Sequence, residues 1–369
     1  MAGAVRQPID VGSLERYIGA HVPAIKVPVD VKQFGYGQSN PTYQLTDQGG
    51  RRYVLRKKPP GRLLSKTAHK VDREYRIIHA LAGTDVPVPK TYCLCEDDAV
   101  IGTAFYIMEF LDGRIFEDPA LPGVSPEERS ALWHDAIRTL AKFHSVEPAS
   151  VNMQSFGKPA GFYNRQLATF QTISDAQAKT VDVETKQAVG KIPHYDDIVA
   201  FFKDPATQPK DRSGFVHGDY KIDNVVFHKT EPRVIGILDW EMSTIGHPLS
   251  DLANLLTPYV TAKSGIVLGS NRSSKAFRPG ETPGLPTQAQ LVSWYWEAAG
   301  WNPAPDLTWG EAFGIYRNAI IMQGIAARYA LRQASSANAK HYAVQMPLMG
   351  ELAWSLVEEV KKKHQKAKL

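Results

Sequence analysis

The fold of this chain is decided by a polar loop, His217-Gly218-Asp219-Tyr220-Lys221-Ile222-Asp223-Asn224, which lies between two short β-type runs at 214–217 and 233–238. Asp239 ends the second run, fifteen residues after Asn224. By composition alone, the pattern H-G-D-x-x-x-x-N arises by chance in roughly one chain in a thousand of this length. A simple polar turn is therefore a poor explanation of the loop.

The spacing of these acidic and amide side chains suits phosphoryl transfer. Transfer from ATP needs one carboxylate that holds the incoming hydroxyl group and accepts its proton. It also needs oxygen ligands for Mg²⁺, which takes one or two protein carboxylates and completes its shell with phosphate and water. We expect Asp219 to be the base, and Asn224 and Asp239 to be the metal ligands, with ATP and Mg²⁺ as the cofactors.

The composition is that of an ordinary globular protein, and it excludes several functions. Of 369 residues, 43% are hydrophobic and 22% charged, and 43 Lys and Arg against 38 Asp and Glu leave a formal charge of +5. The chain is too apolar to be disordered and too balanced in charge to form a nucleic-acid-binding face. The apolar stretch 309–331 contains two arginines, so it predicts a buried helix and not a membrane span.

The front of the chain is β-rich and the remainder is helical. A Ser125-Pro126 pair, with Glu128 three residues after the serine, predicts the start of a long helix. Residues 264–286, rich in Ser, Gly and Pro, predict a loop. The pattern predicts strands over 29–36, 41–46, 52–56 and 101–111, and helices over 68–81, 249–260, 289–299, 309–330 and 346–362.

This layout predicts an α+β fold with two lobes and a cleft between them. Residues 1–111 form a small β-rich lobe that covers the nucleotide. Residues 112–369 form a larger, mostly helical lobe for catalysis and substrate.

The order of motifs resembles the aminoglycoside phosphotransferase and choline kinase group of protein-kinase-like enzymes. The resemblance extends from about residue 30 to about residue 345 and rests on the H-G-D-x-x-x-x-N loop and the later D-W-E segment. It implies a two-lobed protein-kinase-like fold with Asp219 as base and Asn224 and Asp239 on Mg²⁺. It also implies that His217 supports the loop and that Asp251 braces it. A protein kinase is disfavoured, because such enzymes have H-R-D and D-F-G instead.

The resemblance assigns nucleotide contacts in the front lobe. The loop Gly35-Tyr36-Gly37-Gln38-Ser39-Asn40 covers the phosphates, with Gly35, Gly37, Ser39 and Asn40 as its contributing residues. A plain hairpin turn is the alternative for this loop. The carbonyl group of Glu109 and the N–H group of Leu111 meet adenine.

A strand cation paired with a helix glutamate completes the predicted nucleotide site. Arg56 takes the place of the usual lysine, and Glu74 is its partner. Because side chains alternate along a strand, Lys58 is the alternative cation. For Lys57 we favour a solvated position.

The substrate is predicted only by resemblance and composition. The stretches at 37–42 and 54–61 resemble the kinase-like region fused to some acyl-CoA dehydrogenases. This resemblance implies a hydroxyacyl substrate, either the free acid or its CoA thioester. Cations in the 264–286 loop and the aromatic helices after it also suit an anionic, partly apolar molecule; the alternative places those aromatic residues in the core. The function is thus phosphorylation of a small-molecule hydroxyl group. The alternatives are a pseudokinase-type binding protein and an aminoglycoside or choline kinase.

The C-terminal residues Ala367, Lys368 and Leu369 differ from the peroxisomal address S-K-L by one small residue. In a eukaryotic protein they predict binding to a peroxisomal import receptor and a location in the peroxisomal matrix. A basic helix end is the alternative. In a bacterium the tail carries no such meaning, and the expected location is the cytoplasm.

Overall fold

A computed structural model describes residues 2–35, 40–59, 70–264, 274–334 and 339–366. The fold is α+β, as predicted, with an antiparallel sheet in the N-terminal region and helices in the C-terminal part. The chain divides into two compact units. The sheet unit consists of Met1–Ile115, Ala149–Gln154 and Asn224–Ser243; the helical unit consists of Phe116–Pro148, Ser155–Asp223 and Thr244–Leu369. The predicted lobe boundary after residue 111 stays a prediction.

The described residues form ten strands and twelve helices, besides short 3-10 turns. The strands are β1 (Ala2–Gly3), β2 (Asp30–Phe34), β3 (Thr42–Thr46), β4 (Arg52–Lys57), β5 (Thr91–Cys95), β6 (Phe105–Glu109), β7 (Gly214–Val216), β8 (Val225–Phe227), β9 (Val234–Ile237) and β10 (Thr244–Gly246). The helices are α1 (Val11–His21), α2 (Val71–Leu81), α3 (Asp98–Ile101), α4 (Pro126–Ser145), α5 (Phe162–Ala178), α6 (Tyr195–Lys203), α7 (Leu249–Leu255), α8 (Thr257–Ser264), α9 (Gln288–Ala299), α10 (Leu307–Ala330), α11 (Ala339–Ala343) and α12 (Met346–Lys366).

The sheet unit is built on six antiparallel strands in the order β1-β2-β3-β4-β6-β5. One face of this sheet is apolar, because alternate residues such as Tyr43 and Leu45 of β3, and Tyr53 and Leu55 of β4, point to the same side. Helix α1 packs on this face. The core formed there also contains Leu14, Ile18, Val22, Ile25, Val29, Cys95, Ile101, Phe105 and Ile107.

The opposite face of the same sheet carries the polar residues of interest. Arg56 of β4 is paired directly with Tyr106 of β6, so the two side chains share a face. Helix α2 contacts β5 and β6 and buries Glu74 completely. The strand and helix periodicities therefore bring Arg56, Tyr106 and Glu74 together.

The helical unit has a core rich in aromatic side chains, formed mainly by α5, α6, α10 and α12. Trp309 and Phe313 of α10 stack in parallel with their ring centroids 5.4 Å apart, and Phe202 of α6 meets both edge-on. Strands β7 and β10 form a separate antiparallel pair in this unit. The pair fixes the start of the polar loop at residue 217.

Two predicted elements were wrong in extent. The expected strand over 101–111 begins only at Phe105, because Asp97 caps the short helix α3 before it and Gly102, at φ +82°, ends that helix. The expected helix over 249–260 is divided into α7 and α8. Pro258 is at the second position of α8 and has no N–H group, so it cannot continue the hydrogen bonds of α7.

The long apolar segment near residue 320 forms the buried helix that its sequence predicts. Helix α10 has thirteen buried residues, among them Glu311 and Gln323. Among the described residues, no helix is long and apolar enough to cross a membrane.

Candidate active site

The polar loop leaves strand β7 with its backbone fixed by one buried carboxylate. Asp251 of α7 accepts the backbone N–H groups of His217, at 2.6 Å on Oδ2, and of Gly218, at 2.8 Å on Oδ1. Gly218 has φ +87°, a conformation that suits glycine, and it immediately precedes Asp219. The position of the Asp219 backbone thus depends on Asp251.

Asp251 is itself held by a buried histidine. His144, in the last turn of α4, lies with Nε2 3.1 Å from Asp251 Oδ2 and Nδ1 2.7 Å from the Tyr295 hydroxyl group. Burial alone would raise the pKa of Asp251, but hydrogen bonds from the His144 ring and from the His217 backbone N–H outweigh it and lower that pKa below its ordinary value. Asp251 is therefore an anion clamped by donors.

The side chain of Asp219 lies between an amide and an ammonium group. Asn254 of α7 donates from Nδ2 to Asp219 Oδ1 at 3.4 Å and to the Tyr220 carbonyl at 3.1 Å. Lys221 Nζ lies 3.5 Å from Asp219 Oδ2 and 3.4 Å from Asp223 Oδ2. Burial lowers the pKa of Lys221, but these two carboxylates outweigh it and raise that pKa. Asp219 keeps 30% of its side chain exposed, so a substrate hydroxyl group can reach it.

His217 faces inward and supports the loop. It is fully buried, and its ring Nδ1 accepts the backbone N–H of Asp219 at 3.2 Å. Its ring also meets Tyr220 edge-on at 6.0 Å. This geometry is compatible with the supporting role that the resemblance implies, and the role stays a prediction.

The sheet unit carries the remaining predicted residues, and Arg56 is at their centre. Its guanidinium group lies 3.0 Å from Asp239 Oδ1, 3.2 Å from Glu74 Oε2 and 3.5 Å from Glu241 Oε2. The Glu74 contact, through Nε, is an ion pair without the alignment of a hydrogen bond. Burial lowers the pKa of Arg56, but Glu74, Tyr106 and Asp239 outweigh it and raise that pKa. One cation thus joins β4, α2 and the segment after β9.

Glu74 is saturated with donors. Asn40 Nδ2 donates to Oε1 at 2.7 Å, and the Tyr106 hydroxyl group donates to Oε2 at 3.0 Å. Burial raises the pKa of Glu74 even though Arg56 and Tyr106 act to lower it. The predicted loop residue Asn40 is therefore tied directly to the predicted helix glutamate.

Asp239 has a strained backbone next to Asn224. Its φ of +64° and ψ of +57° lie in the left-handed region, which residues other than glycine rarely adopt. The N–H of Leu238 donates to the Asn224 carbonyl at 2.8 Å, which ties the residue before Asp239 to Asn224. Strain of this kind persists where the surrounding structure enforces it, and it is concentrated at functional sites.

The donor set of Asn224 and Asp239 fits Mg²⁺. Within the described part of the chain, no group of three or more His, Cys, Asp or Glu side chains could hold a metal by itself. Mg²⁺ does not need such a group, because it is usually bound by one or two carboxylates together with phosphate oxygens and water. Asp239, with 37% of its side chain exposed, and the amide oxygen of Asn224 match that requirement.

The backbone positions predicted for adenine are compatible with that role. The N–H of Glu109 donates to the Lys90 carbonyl at 2.7 Å, and the carbonyl of Leu111 accepts from Gly113 at 3.1 Å. These bonds use the opposite groups from the Glu109 carbonyl and Leu111 N–H that the resemblance assigns to the nucleotide. Gly35 is described and meets no neighbour that would exclude a side chain.

Other predictions lie outside the described residues and stay predictions. These are the phosphate contacts of Gly37 and Ser39, the loop cation Arg272, and the tail Ala367, Lys368 and Leu369.

Of the two candidate strand cations, Arg56 is the one that pairs with Glu74 in this structure. Lys58 has no ion pair with Glu74, whereas Arg56 does. The expectation of a solvated Lys57 was wrong: the residue is in β4 with only 4% exposure, and burial lowers the pKa of its amine. The strand simply extends one residue further than the sequence pattern suggested.

Sequence reasoning missed three residues of the site. They are His144 behind Asp251, Asn254 beside Asp219, and Glu241 beside Arg56. Glu241 is part of the D-W-E segment and could have been inferred from it. Asn254 is three residues after Asp251 and therefore on the same side of α7. Nothing in the sequence separates His144 from an ordinary basic residue at a helix end.

Comparisons with known proteins identify the family of the chain. The model of the phosphotransferase enzyme family matches residues 30–307. The chain belongs to that family. It is 40% identical over 347 residues to acyl-CoA dehydrogenase family member 11 of Gallus gallus, an alignment that covers 93% of this chain and 43% of the relative. The chain thus spans less than half the length of the curated relatives it matches.

Solved structures support the same fold. A candidate aminoglycoside phosphotransferase of Ralstonia eutropha superposes with a TM-score of 0.81 and 37% identity, covering 95% of this chain and 99% of the other. A ternary complex of the phosphotransferase APH(2″)-IIa with streptomycin and ATP superposes with a TM-score of 0.55 at 16% identity, covering 86% and 91%. The second likeness concerns the fold alone. Together with the family model, these structures confirm the kinase-like fold and place the chain among the phosphotransferases.

Proposed function

We propose that the protein transfers the γ-phosphoryl group of ATP to a hydroxyl group of a small molecule in an Mg²⁺-dependent reaction. The observation that carries the proposal is the clamp on the catalytic loop, in which buried Asp251 accepts the backbone N–H groups of His217 and Gly218, just before Asp219, and leaves the Asp219 side chain accessible. A polar turn without catalytic work would not need a buried anion to fix it.

Asp219 is the residue that acts on the acceptor. Its carboxylate accepts the hydroxyl proton as the oxygen attacks phosphorus, and the bond from the γ-phosphorus to the bridging oxygen of ADP breaks. Asn254 and Lys221 hold that carboxylate in place. Positioning of this kind is the main contribution that an enzyme makes to phosphoryl transfer.

Asn224 and Asp239 would hold Mg²⁺, and Arg56 would contact phosphate. When bound, the metal neutralises charge on the phosphate oxygens. Arg56 keeps its charge at any physiological pH and can bind a phosphate oxygen while it remains tethered to Glu74.

We further propose a hydroxyacyl compound, as the free acid or its CoA thioester, as the acceptor. The support is the 40% identity to a protein named as an acyl-CoA dehydrogenase family member. The test is a comparison of hydroxyacyl-CoA, free hydroxy acid, kanamycin and choline as acceptors, with phosphorylated product detected by mass spectrometry. We expect product only from the hydroxyacyl compounds. Product from kanamycin at an equal rate, or from none of the four, would reject this acceptor.

The reaction itself is tested with Asp219→Asn, which preserves shape and removes the base. We expect turnover to fall at least a hundredfold, in line with the usual contribution of a general base of about 10²–10⁴, with an unchanged thermal unfolding midpoint. Asp223→Asn is the matched control, since it alters another carboxylate of the same loop that also contacts Lys221. Retained turnover in Asp219→Asn would refute the assignment.

The metal ligand is tested separately with Asp239→Ala. We expect this variant to lose Mg²⁺-dependent ATP binding, which calorimetry with and without Mg²⁺ measures.

One observation favours a second candidate, a nucleotide-binding protein without catalysis. Arg56 pairs with Asp239 at 3.0 Å and so competes with a metal for that carboxylate. The two candidates differ in one measurement. A catalyst consumes ATP in the presence of its acceptor, and a binding protein shifts its thermal midpoint with ATP and consumes none.

A further inference from the structure

The helical unit contains a cavity of about 660 Å³ that includes none of the predicted catalytic residues. It lies among α8, α9, α10 and α12 and the segment before α10. This volume is within the range of sites that bind small molecules. The cavity and its chemistry do not depend on the proposed function.

A buried carboxyl group forms part of the cavity wall. Glu311 of α10 is only 5% exposed, yet it lines the cavity. Oε1 accepts a hydrogen bond from the Gln288 side-chain amide, and within the described residues Oε2 accepts none. Oε2 is not among the buried polar atoms that lack a partner, so this oxygen is open to the cavity and can accept a donor that enters it.

The other charged groups around the cavity are already paired. Lys363 lies 2.8 Å from Glu359 and donates to Thr308 Oγ1 at 2.8 Å. Lys263 donates at 2.9 Å to the Oε1 of Gln288, the residue that contacts Glu311. Above about pH 7, where Glu311 is ionised, two lysines stand against two glutamates, so the cavity has no excess charge to select an ion of either sign. A neutral molecule matches it best.

The rest of the wall is suited to an apolar body. Trp296 of α9 lines the cavity and is 49% exposed, which is unusual for so large a ring. Leu352 and Leu356 of α12 line it as well. Of the aromatic residues that follow the 264–286 loop, Tyr295 and Trp309 are buried in the core instead.

We propose that this cavity is a binding site for a neutral amphipathic alcohol, whose hydroxyl group donates to Glu311 Oε2 and whose apolar chain packs against Trp296, Leu352 and Leu356. The site is additional to the phosphoryl-transfer residues. Its ligand is recognised by one donor at an acceptor open to the cavity and by an apolar surface.

The test uses three probes that share one chain and differ in the head group: 1-octanol, octylamine and octanoate. Binding to the 369-residue chain is measured by saturation-transfer NMR titration at a pH above 7, where Glu311 is ionised. We expect 1-octanol to saturate and to bind at least about tenfold more tightly than the two charged probes, because its hydroxyl is the neutral donor that fits Oε2. Tighter binding of octylamine or of octanoate would overturn the proposal, and so would failure of 1-octanol to saturate.

Three variants test whether 1-octanol binds in this cavity. Glu311→Met keeps the length of the side chain and removes the acceptor, and we expect 1-octanol affinity to fall about tenfold or more. Trp296→Ala should weaken it by a similar factor through lost apolar contact. Glu359→Gln is the control, with an expected change below about threefold, since that carboxyl group pairs with Lys363. Should Glu311→Met fail to fold, Trp296→Ala decides alone; 1-octanol binding that Trp296→Ala leaves unchanged lies elsewhere and refutes the site.

Discussion

Individual carboxylates in this protein differ sharply in their surroundings. Asp251 is buried among three donors, so its charge stabilises the fold. Glu311 is almost as deeply buried but has one donor. The same residue class thus has opposite effects on stability, and the pH dependence of unfolding can separate them.

Asp251→Asn should destabilise the protein and slow phosphoryl transfer. N–H donors face both oxygens of the Asp251 carboxylate. In the variant one of these oxygens becomes an amide NH₂ group, which is itself a donor and cannot accept. We expect the free energy of unfolding at about pH 7 to fall by about 2–3 kcal/mol, and turnover to fall as the Asp219 backbone loses its anchor. Urea unfolding and an ATP assay measure the two effects.

The same variant has a defined pH dependence. The folded pKa of Asp251 is below its ordinary value of 3.8, so its stabilisation is complete above 3.8 and is lost as pH falls through the folded pKa. The difference between wild type and variant should therefore shrink only in acid. Ser250→Ala, which alters the preceding residue of α7, is the control. A difference that is constant across all pH values would contradict this account.

Glu311→Gln should change stability in the opposite sense. Burial raises the pKa of Glu311 from 4.5 to about 7, because desolvation outweighs Lys263 and the Gln288 hydrogen bond. The unfolded chain ionises at 4.5 while the folded protein does not, so wild-type stability falls as pH rises from 4.5 through 7, by at most about 3 kcal/mol.

In Glu311→Gln the free energy of unfolding should not show this fall between pH 4.5 and about 7. Urea unfolding at successive pH values measures it in both proteins. Exposed Glu297 of α9 provides the control, and Glu297→Gln should retain the wild-type slope. An unchanged slope in Glu311→Gln would show that other groups produce it.

At the level of elements, Arg56 connects a strand, a helix and a turn that are far apart in sequence. Replacing it with methionine leaves Glu74, Asp239 and Glu241 near one another without a cation. Breaking a buried pair in this way costs about 3–5 kcal/mol. We expect Arg56→Met to lose that amount in urea unfolding.

A double-mutant cycle isolates the connection to α2. Glu74→Gln keeps the shape of the side chain: its amide oxygen can accept from Asn40, and its amide nitrogen can donate to the Tyr106 hydroxyl group, which is able to accept. The double variant should therefore be more stable than the sum of the single losses predicts, by more than about 0.5 kcal/mol. Additive losses would mean that Arg56 and Glu74 act independently.

The elements also show what the sequence can predict. Periodicity located β2, β3, β4, α2, α9, α10 and α12 within a few residues, because each has one regular buried side. It missed α1, although Asp10 caps that helix and Leu14 and Ile18 are correctly spaced. It also missed β5 and the helices α5 and α6, which depend on tertiary packing.

The candidate site was predictable only where a motif names the residue. Asp219, Asn224 and Asp239 were expected from the spacing of one loop and one strand end. The partners that hold them come from distant segments, such as His144 on α4. Their selection depends on the three-dimensional path of the chain, and no local pattern records it.

At the scale of the whole molecule, the chain does not divide at a single point. Met1–Ile115 forms most of the sheet unit, but Asn224–Ser243 returns to it. Asp219 and Asn224, only five residues apart, are assigned to different units. The predicted division after residue 111 would remove Asn224 and Asp239 from the strand cation Arg56, with which Asp239 makes an ion pair.

This discontinuity predicts how fragments behave. A fragment of residues 1–115 lacks the two backbone hydrogen bonds between Arg114 and Phe227, from Arg114 N–H at 2.7 Å and from Phe227 N–H at 2.8 Å. It also lacks the hydrogen bond from the Ile237 N–H to the Pro87 carbonyl at 3.0 Å. It also exposes Leu111, which packs against Gly236. We expect this fragment to unfold with a shallow urea dependence, and a fusion of 1–115 to 224–243 through a short flexible linker to unfold cooperatively with a steeper one.

Circular dichroism during urea titration measures both fragments, and a third variant shows whether the returning segment docks as in the full chain. In the fusion, Gly113→Ala would place a Cβ atom 2.3 Å from the backbone oxygen of Phe227, which cannot move without breaking the strand pairing. The variant should therefore return the fusion to the shallow behaviour of 1–115. Equal urea dependence of all three proteins would mean that residues 224–243 contribute nothing to the sheet unit, and that the Arg56–Asp239 ion pair does not help to hold it together.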